Sequence, residues 1–232
     1  GFMETEMEEL LEFLSVSKVM CVQSVFSHLV ASEDPEHDNF TSAQIELFVK
    51  LSDRISGSLT YPFMRHLANT SGISRWPQAR FDMVRLGIGL YGIDSAFPEK
   101  SPLQTVTSLK TSISQIKKIP AGDTIGYRRA GKMPLGGTIA TVKIGYADGY
   151  HRGLGNGVGK MIIRGKQVPT IGTICMDMCM LDISGIHAAE GDEVIVFNEI
   201  IRVEYIAEQL NTIPYEVLTG ISQRVKRIYY YE

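Results

Sequence analysis

Residues 81–92 read Phe81-Asp-Met-Val-Arg-Leu-Gly-Ile-Gly-Leu-Tyr-Gly92, and this apolar stretch, interrupted by three glycines, predicts a strand. Two further strand candidates precede it, Lys18–Leu29 and Phe63–Asn69. The first is β-branched and apolar on both faces, as expected of a strand buried in a parallel sheet. A helix is predicted between these two candidates, and strands that alternate with helices are typical of parallel βα units.

Two helices are predicted in this first part of the chain. Residues 3–14 are acidic and carry apolar side chains at helical spacing. The capping-box pattern in Thr41-Ser-Ala-Gln44 predicts the start of the second helix, and Gly57 predicts its end.

The hydrophobic period changes to two from about residue 102, which predicts a mostly antiparallel β domain. The polar stretch Asp94–Ser101 divides it from the first part, so we expect domains at 1–100 and 101–232. Val203–Leu210 is the one segment of the second domain that reads as a helix. Its strands are predicted at Leu109–Ser114, Ile139–Ile144 and Glu193–Phe197, with a hairpin in Met161–Val168 closed at Gly165-Lys166.

The first domain has few strands for its class. Three candidates in about 95 residues fall short of a closed eight-stranded barrel, which needs about 250 residues, and of an open doubly wound sheet. We therefore expect this part to be the C-terminal portion of a larger α/β domain.

Composition excludes several classes of protein. The formal net charge is −3, so no basic excess exists to neutralise nucleic acid. No apolar run approaches the roughly 18 residues of a membrane span, and the N-terminus does not resemble a signal peptide. Three cysteines fit a reducing cytoplasm. Cys175 and Cys179 resemble half a zinc site, but no second pair of ligands has suitable spacing, so no metal is expected.

Four segments place polar groups where barrel chemistry occurs, just beyond predicted strands. In the segment Arg85-Leu-Gly87-Ile88-Gly89, the glycines expose backbone N–H groups that could form a nest for a phosphate. Each segment also has a purely structural reading: a hydrogen-bonded core histidine, a helix cap, a packing glycine or a turn aromatic. The segments are Ser27-His28, Asn69-Thr70-Ser71, Arg85-Leu-Gly87-Ile88-Gly89 and Gly145-Tyr146-Ala-Asp148-Gly149.

Six segments in order make the sequence similar to the pyridoxal-phosphate-dependent alanine racemases of bacteria, from residue 1 to about 230. The resemblance implies an α/β plus β fold, in which the C-terminal part of a (β/α)8 barrel precedes the β domain. The segments are Phe26-Ser-His28-Leu, His66-Leu-Ala-Asn69-Thr, Met83-Val-Arg85-Leu-Gly-Ile-Gly-Leu-Tyr-Gly92, Ile144-Gly-Tyr-Ala-Asp-Gly-Tyr150, Gly172-Thr-Ile-Cys-Met-Asp177 and Pro214-Tyr-Glu-Val-Leu-Thr.

The same resemblance implies a reaction and an assembly. The reaction is the interconversion of L- and D-alanine with pyridoxal 5'-phosphate, which supplies D-alanine for cell-wall peptidoglycan in the cytoplasm. The assembly is a homodimer, in which one subunit's barrel and the other's β domain form each active site. Neither nucleic acid nor membrane is implied as a partner.

Catalytic and substrate-binding roles follow from the resemblance for four residues. Tyr146 matches the catalytic tyrosine that handles the α-proton of L-alanine. His28 matches the histidine that links this tyrosine to Arg85, and Arg85 matches the arginine that donates to the cofactor's pyridine nitrogen. Met176 matches the residue whose backbone N–H meets the substrate carboxylate.

Cofactor-binding roles follow in the same way for residues on the phosphate side. Thr70 matches a family serine, Gly87 and Ile88 match backbone donors, and Asn69 is assigned to the cofactor site with them. The sequence departs from the family where Gln223 replaces the phosphate-binding tyrosine of some members. No segment matches the one that carries the family's covalent lysine, and the substrate-binding arginine is also unmatched.

Two alternatives follow from these departures. The chain could be a non-catalytic dimerisation module with a remnant of a barrel. It could also be the racemase portion of a larger fused cell-wall enzyme.

Overall fold

The computed structural model describes residues 1–97 and 100–229. Two compact units make up the chain: unit 1 is Gly1–Val106 and unit 2 is Thr107–Glu232. The division lies shortly after Asp94–Ser101, the polar stretch in which the sequence predicts a domain boundary.

The described part of unit 1 contains the helices α1 (Met7–Val16), α2 (Asp38–Ser58) and α3 (Thr70–Arg75). The acidic start of the chain meets basic side chains of α2. Lys50 lies 2.6 Å from Glu4, and Arg54 pairs with Glu8. The helix predicted over residues 3–14 is confirmed, with a 3-10 turn before α1.

Helix α2 begins earlier than predicted. Its first residue is Asp38, so Thr41 lies inside the helix and does not cap it. The Thr41 hydroxyl is fully buried and donates to the carbonyl of Ala31 at 3.4 Å. The prediction that the helix starts at Thr41 is wrong, because the Thr41 hydroxyl donates to the loop that precedes the helix and does not accept from a backbone N–H of the first turn.

The strands of unit 1 are parallel, as predicted, but short. β1 (Ser24–Phe26) pairs with β2 (Met64–His66), and Met83 adds a single parallel bridge to His66. Of the strand predicted over Lys18–Leu29 only Ser24–Phe26 is confirmed, and the expected burial is wrong at Val19, which is 93% exposed. Apolar composition favours a strand, but only residues that find a pairing partner adopt one.

The third strand candidate of unit 1, residues 81–92, is not a strand beyond Met83, which forms only a single bridge. Ile88–Tyr91 is a 3-10 helix, and Gly92 follows it with a φ of 81°. Glycine weakens strands and tolerates this left-handed backbone, so the tract turns away from the sheet.

The core of unit 1 lies between α2 and the strand ends. Trp76 packs into it, and its indole N–H donates to the carbonyl of Ser32 at 3.1 Å. The buried residues of this core are Leu29, Ile45, Phe48, Leu67, Ala68, Trp76 and Ala79.

Unit 2 is built on a closed antiparallel barrel, so the antiparallel β domain predicted from the alternating pattern is confirmed. Its six strands are β3 (Leu109–Ile119), β6 (Gly137–Val142), β7 (Lys160–Ile163), β8 (Lys166–Ile171), β9 (Cys179–Asp182) and β10 (Glu193–Phe197). Their order around the barrel is β10-β3-β6-β9-β8-β7, and closure leaves no free edge among them. A separate pair of short strands joins β4 (Thr124–Ile125) to β5 (Gly131–Lys132).

The β7–β8 hairpin turns at Arg164 and Gly165, one residue earlier than predicted. Both have positive φ, 49° and 76°, as the favoured two-residue hairpin turn requires. Two helices follow the barrel, α4 (Val203–Gln209), which was predicted, and α5 (Pro214–Thr219), which was not. Proline at the first helical position signals this second start.

No helix in the described part of the chain is long and apolar enough to cross a membrane.

We predict that Leu181→Ala destabilises the barrel. Leu181 is fully buried in β9, where it faces Ala140 on one neighbouring strand and Thr170 on the other. Loss of the side chain leaves a cavity and should lower the free energy of unfolding by about 3 kcal/mol. Urea unfolding followed by far-ultraviolet circular dichroism measures the change. Leu135→Ala is the control, because Leu135 is 93% exposed and should shift the midpoint little. Equal midpoints for both variants would contradict the packing described here.

Candidate functional site

The guanidinium of Arg85 bridges two histidines in unit 1. Its Nη1 lies 2.9 Å from His66 Nδ1, and its Nη2 lies 3.3 Å from His28 Nδ1. The structure thus brings together His28 and Arg85, which the sequence predicts as partners, and adds His66 to them. The roles of these residues in catalysis remain predictions.

Backbone carbonyls at the ends of β1 and β2 hold this guanidinium in place. Arg85 donates to Ser27 at 2.7 Å, to Leu67 at 3.1 Å and to His66 at 3.1 Å. Its own N–H donates to the carbonyl of Ala68 at 2.9 Å. Burial lowers the pKa of Arg85, but a guanidinium remains charged.

This arrangement determines the proton position on the His66 imidazole. An arginine has five N–H donors and no acceptor, so the His66 Nδ1 atom, 2.9 Å away, must accept. His66 is therefore neutral in this arrangement, with the proton on Nε2. The direction of the His66 pKa agrees, because burial and the Arg85 cation both lower it from its usual value near 6.5.

Phe26 completes the cluster, and sequence reasoning missed its contribution. Its ring stacks on His66 with 5.1 Å between centroids, and the Arg85 Cζ lies 5.3 Å from its centroid. Phe26 and His28 are two residues apart at the end of β1. That spacing places both on one face of an extended chain, which is the signal that could have revealed the cluster.

The predicted phosphate site is a second cluster in unit 1. Gly87 and Gly89 both donate their N–H groups to the Thr70 hydroxyl, at 3.1 and 3.2 Å. Ile88 is buried between these glycines. The structure therefore brings together Thr70, Gly87 and Ile88, which the sequence assigns to one site.

Asn69 has a structural task beside this site. Its side-chain oxygen accepts from the N–H of Gly72 at 2.9 Å and so caps α3. Its amide donates to the Leu29 carbonyl at 3.2 Å, and the same oxygen accepts from Ser32. The helix-cap reading of Asn69 is therefore confirmed, and Asn69 holds Thr70 in place at the start of α3.

Tyr146 and Met176 lie on two adjoining loops of unit 2. The Tyr146 N–H donates to the Cys175 carbonyl at 3.0 Å, and the Ala147 N–H donates to the Met176 carbonyl at 2.8 Å. A side chain on Gly145 would collide with the carbonyl of Cys175, so glycine is required for this approach. Both Tyr146 and Met176 are exposed.

Tyr127 is a second exposed tyrosine of unit 2, which sequence reasoning did not single out. It is 71% exposed and borders an open cavity of about 460 Å³, together with Lys117, Thr141 and Cys175. Arg128 beside it has a φ of 59°. The signal in the sequence is the Gly126-Tyr127 pair after a short strand, which parallels Gly145-Tyr146.

The cysteines of unit 2 do not form a reactive or metal-binding pair. Burial raises the pKa of Cys175 and of Cys179, which keeps both as thiols. Within residues 1–97 and 100–229, no cluster of three or more His, Cys, Asp or Glu could hold a metal ion.

Comparisons with known proteins agree with both units. A model of the alanine racemase N-terminal domain matches residues 1–95, and one of the alanine racemase C-terminal domain matches residues 106–229. The chain belongs to the alanine racemase family. This confirms the resemblance inferred from the sequence, and the family fold is an N-terminal barrel domain followed by a C-terminal β domain.

Relatives in this family are more than one third identical to the chain over the residues that align with it. The alanine racemase of Desulfosudis oleivorans is 37% identical over 90% of this chain and 55% of the relative. That of Clostridium tetani is 38% identical over 90% of this chain and 56% of the relative.

Solved structures in the family are similar in fold. The alanine racemase of Streptomyces lavendulae superposes with a TM-score of 0.91 at 27% identity, over all of this chain and 63% of that one. The Bartonella henselae enzyme, solved with covalently bound pyridoxal phosphate, gives 0.87 at 31% identity, over 99% and 63%. The chain thus spans between 55% and 63% of the length of these four relatives.

We predict that His66 makes the stability of unit 1 depend on pH. Below its usual pKa near 6.5 the unfolded chain binds a proton that the folded chain excludes. The free energy of unfolding should therefore fall as the pH is lowered through 6.5, and His66→Gln should remove this part of the fall. Urea unfolding followed by the fluorescence of Trp76, the single tryptophan, measures it.

His37→Gln serves as the control, because His37 is exposed and lies outside the cluster. An equally steep pH dependence in His66→Gln and the parent chain would assign the effect to another group.

Proposed function

We propose that the chain carries the cofactor-binding and substrate-binding residues of a pyridoxal-phosphate-dependent alanine racemase. The observation that carries the proposal is the Arg85 cation, held by two histidines and three carbonyls near a turn of backbone N–H groups. In this proposal residues 1–100 are the C-terminal part of a (β/α)8 barrel, and residues 101–232 are the β domain. The parallel pairing of β1 and β2 supports the first assignment.

The residues of unit 1 fit the phosphate of this cofactor. The Thr70 hydroxyl accepts from Gly87 and Gly89, so its proton is free to point at an anion. A Cβ on Gly89 would lie 2.9 Å from the Cγ2 of the buried Thr70, so a side chain at this position would crowd the site. The Thr70 hydroxyl and the Ile88 N–H would hold the phosphate. The Gly87 N–H, which donates to Thr70 in this structure, would orient that hydroxyl, and Asn69 would hold Thr70.

Arg85 would meet the pyridine nitrogen. A fixed cation beside that nitrogen keeps a proton off it, which favours simple proton exchange over other reactions of the cofactor. When bound, pyridoxal phosphate accepts the electron pair that remains on the α-carbon after its proton leaves. The role of His28 is to couple Arg85 to the proton-accepting tyrosine.

A tyrosine of unit 2 would move the α-proton of L-alanine. Tyr146 is the residue predicted from the sequence, and its loop adjoins Met176, whose backbone N–H would bind the substrate carboxylate. We therefore propose Tyr146 as the base. Tyr127, which is more exposed and borders the cavity, is the alternative that the test below addresses.

The wider context follows the family. We propose a homodimer in which unit 1 of one subunit and unit 2 of the other complete each active site. Its product would be D-alanine for peptidoglycan in the cytoplasm. None of the 232 residues matches the covalent lysine, and in unit 1 Lys50 is paired with Glu4. A dimerisation module without activity, or a racemase fused to another enzyme, remains the alternative that the tests below address.

We predict that Thr70→Val weakens binding of pyridoxal phosphate to the chain about tenfold, since it removes a hydrogen bond to a charged group. Thr70→Ser retains the hydroxyl and should bind like the parent chain. Quenching of Trp76 fluorescence by added cofactor measures the affinity, because Trp76 follows α3, the helix that begins at Thr70. Thr60→Val, at an exposed position, is the matched control. Unchanged affinity in Thr70→Val would remove Thr70 from the phosphate site.

The activity test uses a chimera. We expect no racemisation by the 232 residues alone, because covalent catalysis by the lysine is missing. Joined to the part of the Clostridium tetani racemase that it does not cover, the chain should interconvert L- and D-alanine. An inactive but folded chimera that binds the cofactor would favour the non-catalytic alternative.

The same chimera distinguishes the two tyrosines. Phenylalanine keeps the ring and removes the hydroxyl, so substitution of the base should slow α-proton exchange of L-alanine by about 10²–10⁴-fold. Exchange of D-alanine should persist, because it uses the opposite face. Deuterium incorporation from D₂O into each enantiomer is measured for Tyr127→Phe and Tyr146→Phe, with cofactor affinity as the control. Normal exchange in both variants would show that neither tyrosine is the base.

A further inference from the structure

The turn from Gly145 to Gly149, which we call the tyrosine turn, is closed by the side chain of Asp148. The Gly145 N–H donates to Asp148 Oδ2 at 2.9 Å. On one side, the tyrosine turn donates through the N–H groups of Tyr146 and Ala147 to the loop that carries Met176. A shift of this turn would therefore move Tyr146 and Met176 together.

The other side of the tyrosine turn meets the C-terminal segment of unit 2. Arg224 Nε donates to Asp148 Oδ1 at 2.7 Å, and the Ser222 N–H donates to the Asp148 backbone carbonyl at 3.1 Å. A Cβ on Gly149 would lie 2.5 Å from the Gly220 carbonyl oxygen, so the two backbones are in close contact. Asp148 is thus the residue at which the tyrosine turn and the C-terminal segment join.

The C-terminal segment is itself braced. Arg227 donates to the carbonyls of Ile221, Ser222 and Val225 at 3.0 to 3.1 Å. Gln223 lies between Ser222 and Arg224, the two residues that bond to Asp148. The backbone on both sides of Gln223 is therefore held by Asp148, through its backbone carbonyl at Ser222 and its carboxylate at Arg224.

The carboxylate of Asp148 suits this task. Its side chain is only 14% exposed, and each of its oxygens has a different partner. Asparagine could accept one of the two hydrogen bonds but not both, because its amide nitrogen donates. The ion pair also raises the pKa of Arg224, which keeps that side chain charged.

We infer that Asp148 is a positioning residue, which through Arg224 uses the C-terminal segment to hold the loops of Tyr146 and Met176 in place. The catalytic importance of these two loops rests on the proposed function. The hydrogen bonds by which Asp148 joins them to the C-terminal segment can be tested without it.

The chain offers a matched control in the Asp192–Arg164 pair of unit 2. Asp192 also accepts from an arginine side chain, at 2.9 and 3.1 Å, and from one backbone N–H, that of Ala189, at 2.9 Å. Its loop carries none of the candidate site residues. Asp192→Asn therefore removes the same kind of interaction without touching the tyrosine turn.

The first experiment measures hydrogen exchange by NMR in the full 232-residue chain. In Asp148→Asn, exchange of the Tyr146, Ala147 and Ser222 amides should rise about tenfold, while the amide of Leu181 in the barrel keeps its rate. In Asp192→Asn, these three amides should keep their rates. Unchanged exchange at Tyr146 and Ala147 in Asp148→Asn would overturn the inference, and so would a uniform rise throughout unit 2.

A second set of variants guards against misfolding of Asp148→Asn. Arg224→Gln leaves the Gly145–Asp148 bond intact and should raise exchange at the same three amides, whereas Arg224→Lys keeps the charge and should restore part of the protection. The double variant of Asp148→Asn with Arg224→Gln should show less than the sum of the two single effects, because both changes weaken the Asp148–Arg224 interaction. Additive effects would show that the two residues act separately.

The last measurement concerns the reaction. In the chimera, Asp148→Asn should lower kcat for alanine about tenfold and leave the affinity for pyridoxal phosphate unchanged, with Asp192→Asn like the parent. Faster exchange at the tyrosine turn with an unchanged kcat would overturn the positioning role. A parent chimera without racemase activity would instead count against the proposed function, and the exchange rates would still decide whether Asp148 holds the loops.

Discussion

The guanidinium of Arg85 is the group on which the polar end of unit 1 depends. A partly buried cation with five donors needs acceptors, and the carbonyls of Ser27, His66 and Leu67 supply three of them. These carbonyls come from the ends of β1 and β2, so the cation and the parallel pairing support each other. A lysine could not replace it, because an ammonium has three donors and lacks the planar fork.

This constraint extends from structure to chemistry. Because Arg85 can only donate, it makes His66 Nδ1 an acceptor and so fixes the proton of that imidazole on Nε2. In the proposed function, the same permanent charge stands at the pyridine nitrogen and selects proton exchange. The group that organises the strand ends would thus also determine the type of reaction.

Unit 2 positions its candidate groups by a different principle. Its closed barrel supplies rigid walls, and the loops that leave it approach one another closely at glycines. Gly145 allows the tyrosine turn to bond to the Met176 loop, and Gly149 allows contact with the C-terminal segment. Asp148 then joins these segments through hydrogen bonds from a backbone N–H and from a side chain. Loop positions in unit 2 therefore depend on a few bonds that are far apart in sequence.

Local pattern in the sequence determined much of this protein. The two hydrophobic periods predicted the parallel and antiparallel parts, and the Gly-Tyr and Arg-Leu-Gly motifs pointed to the family. Only the tertiary structure decided how far each strand extends, as at Val19, and that the glycine tract after Met83 forms a 3-10 helix. It also revealed His66 beside Arg85 and Tyr127 at the cavity. These features depend on partners that are distant in the chain, and periodicity carries no information about which distant groups will meet.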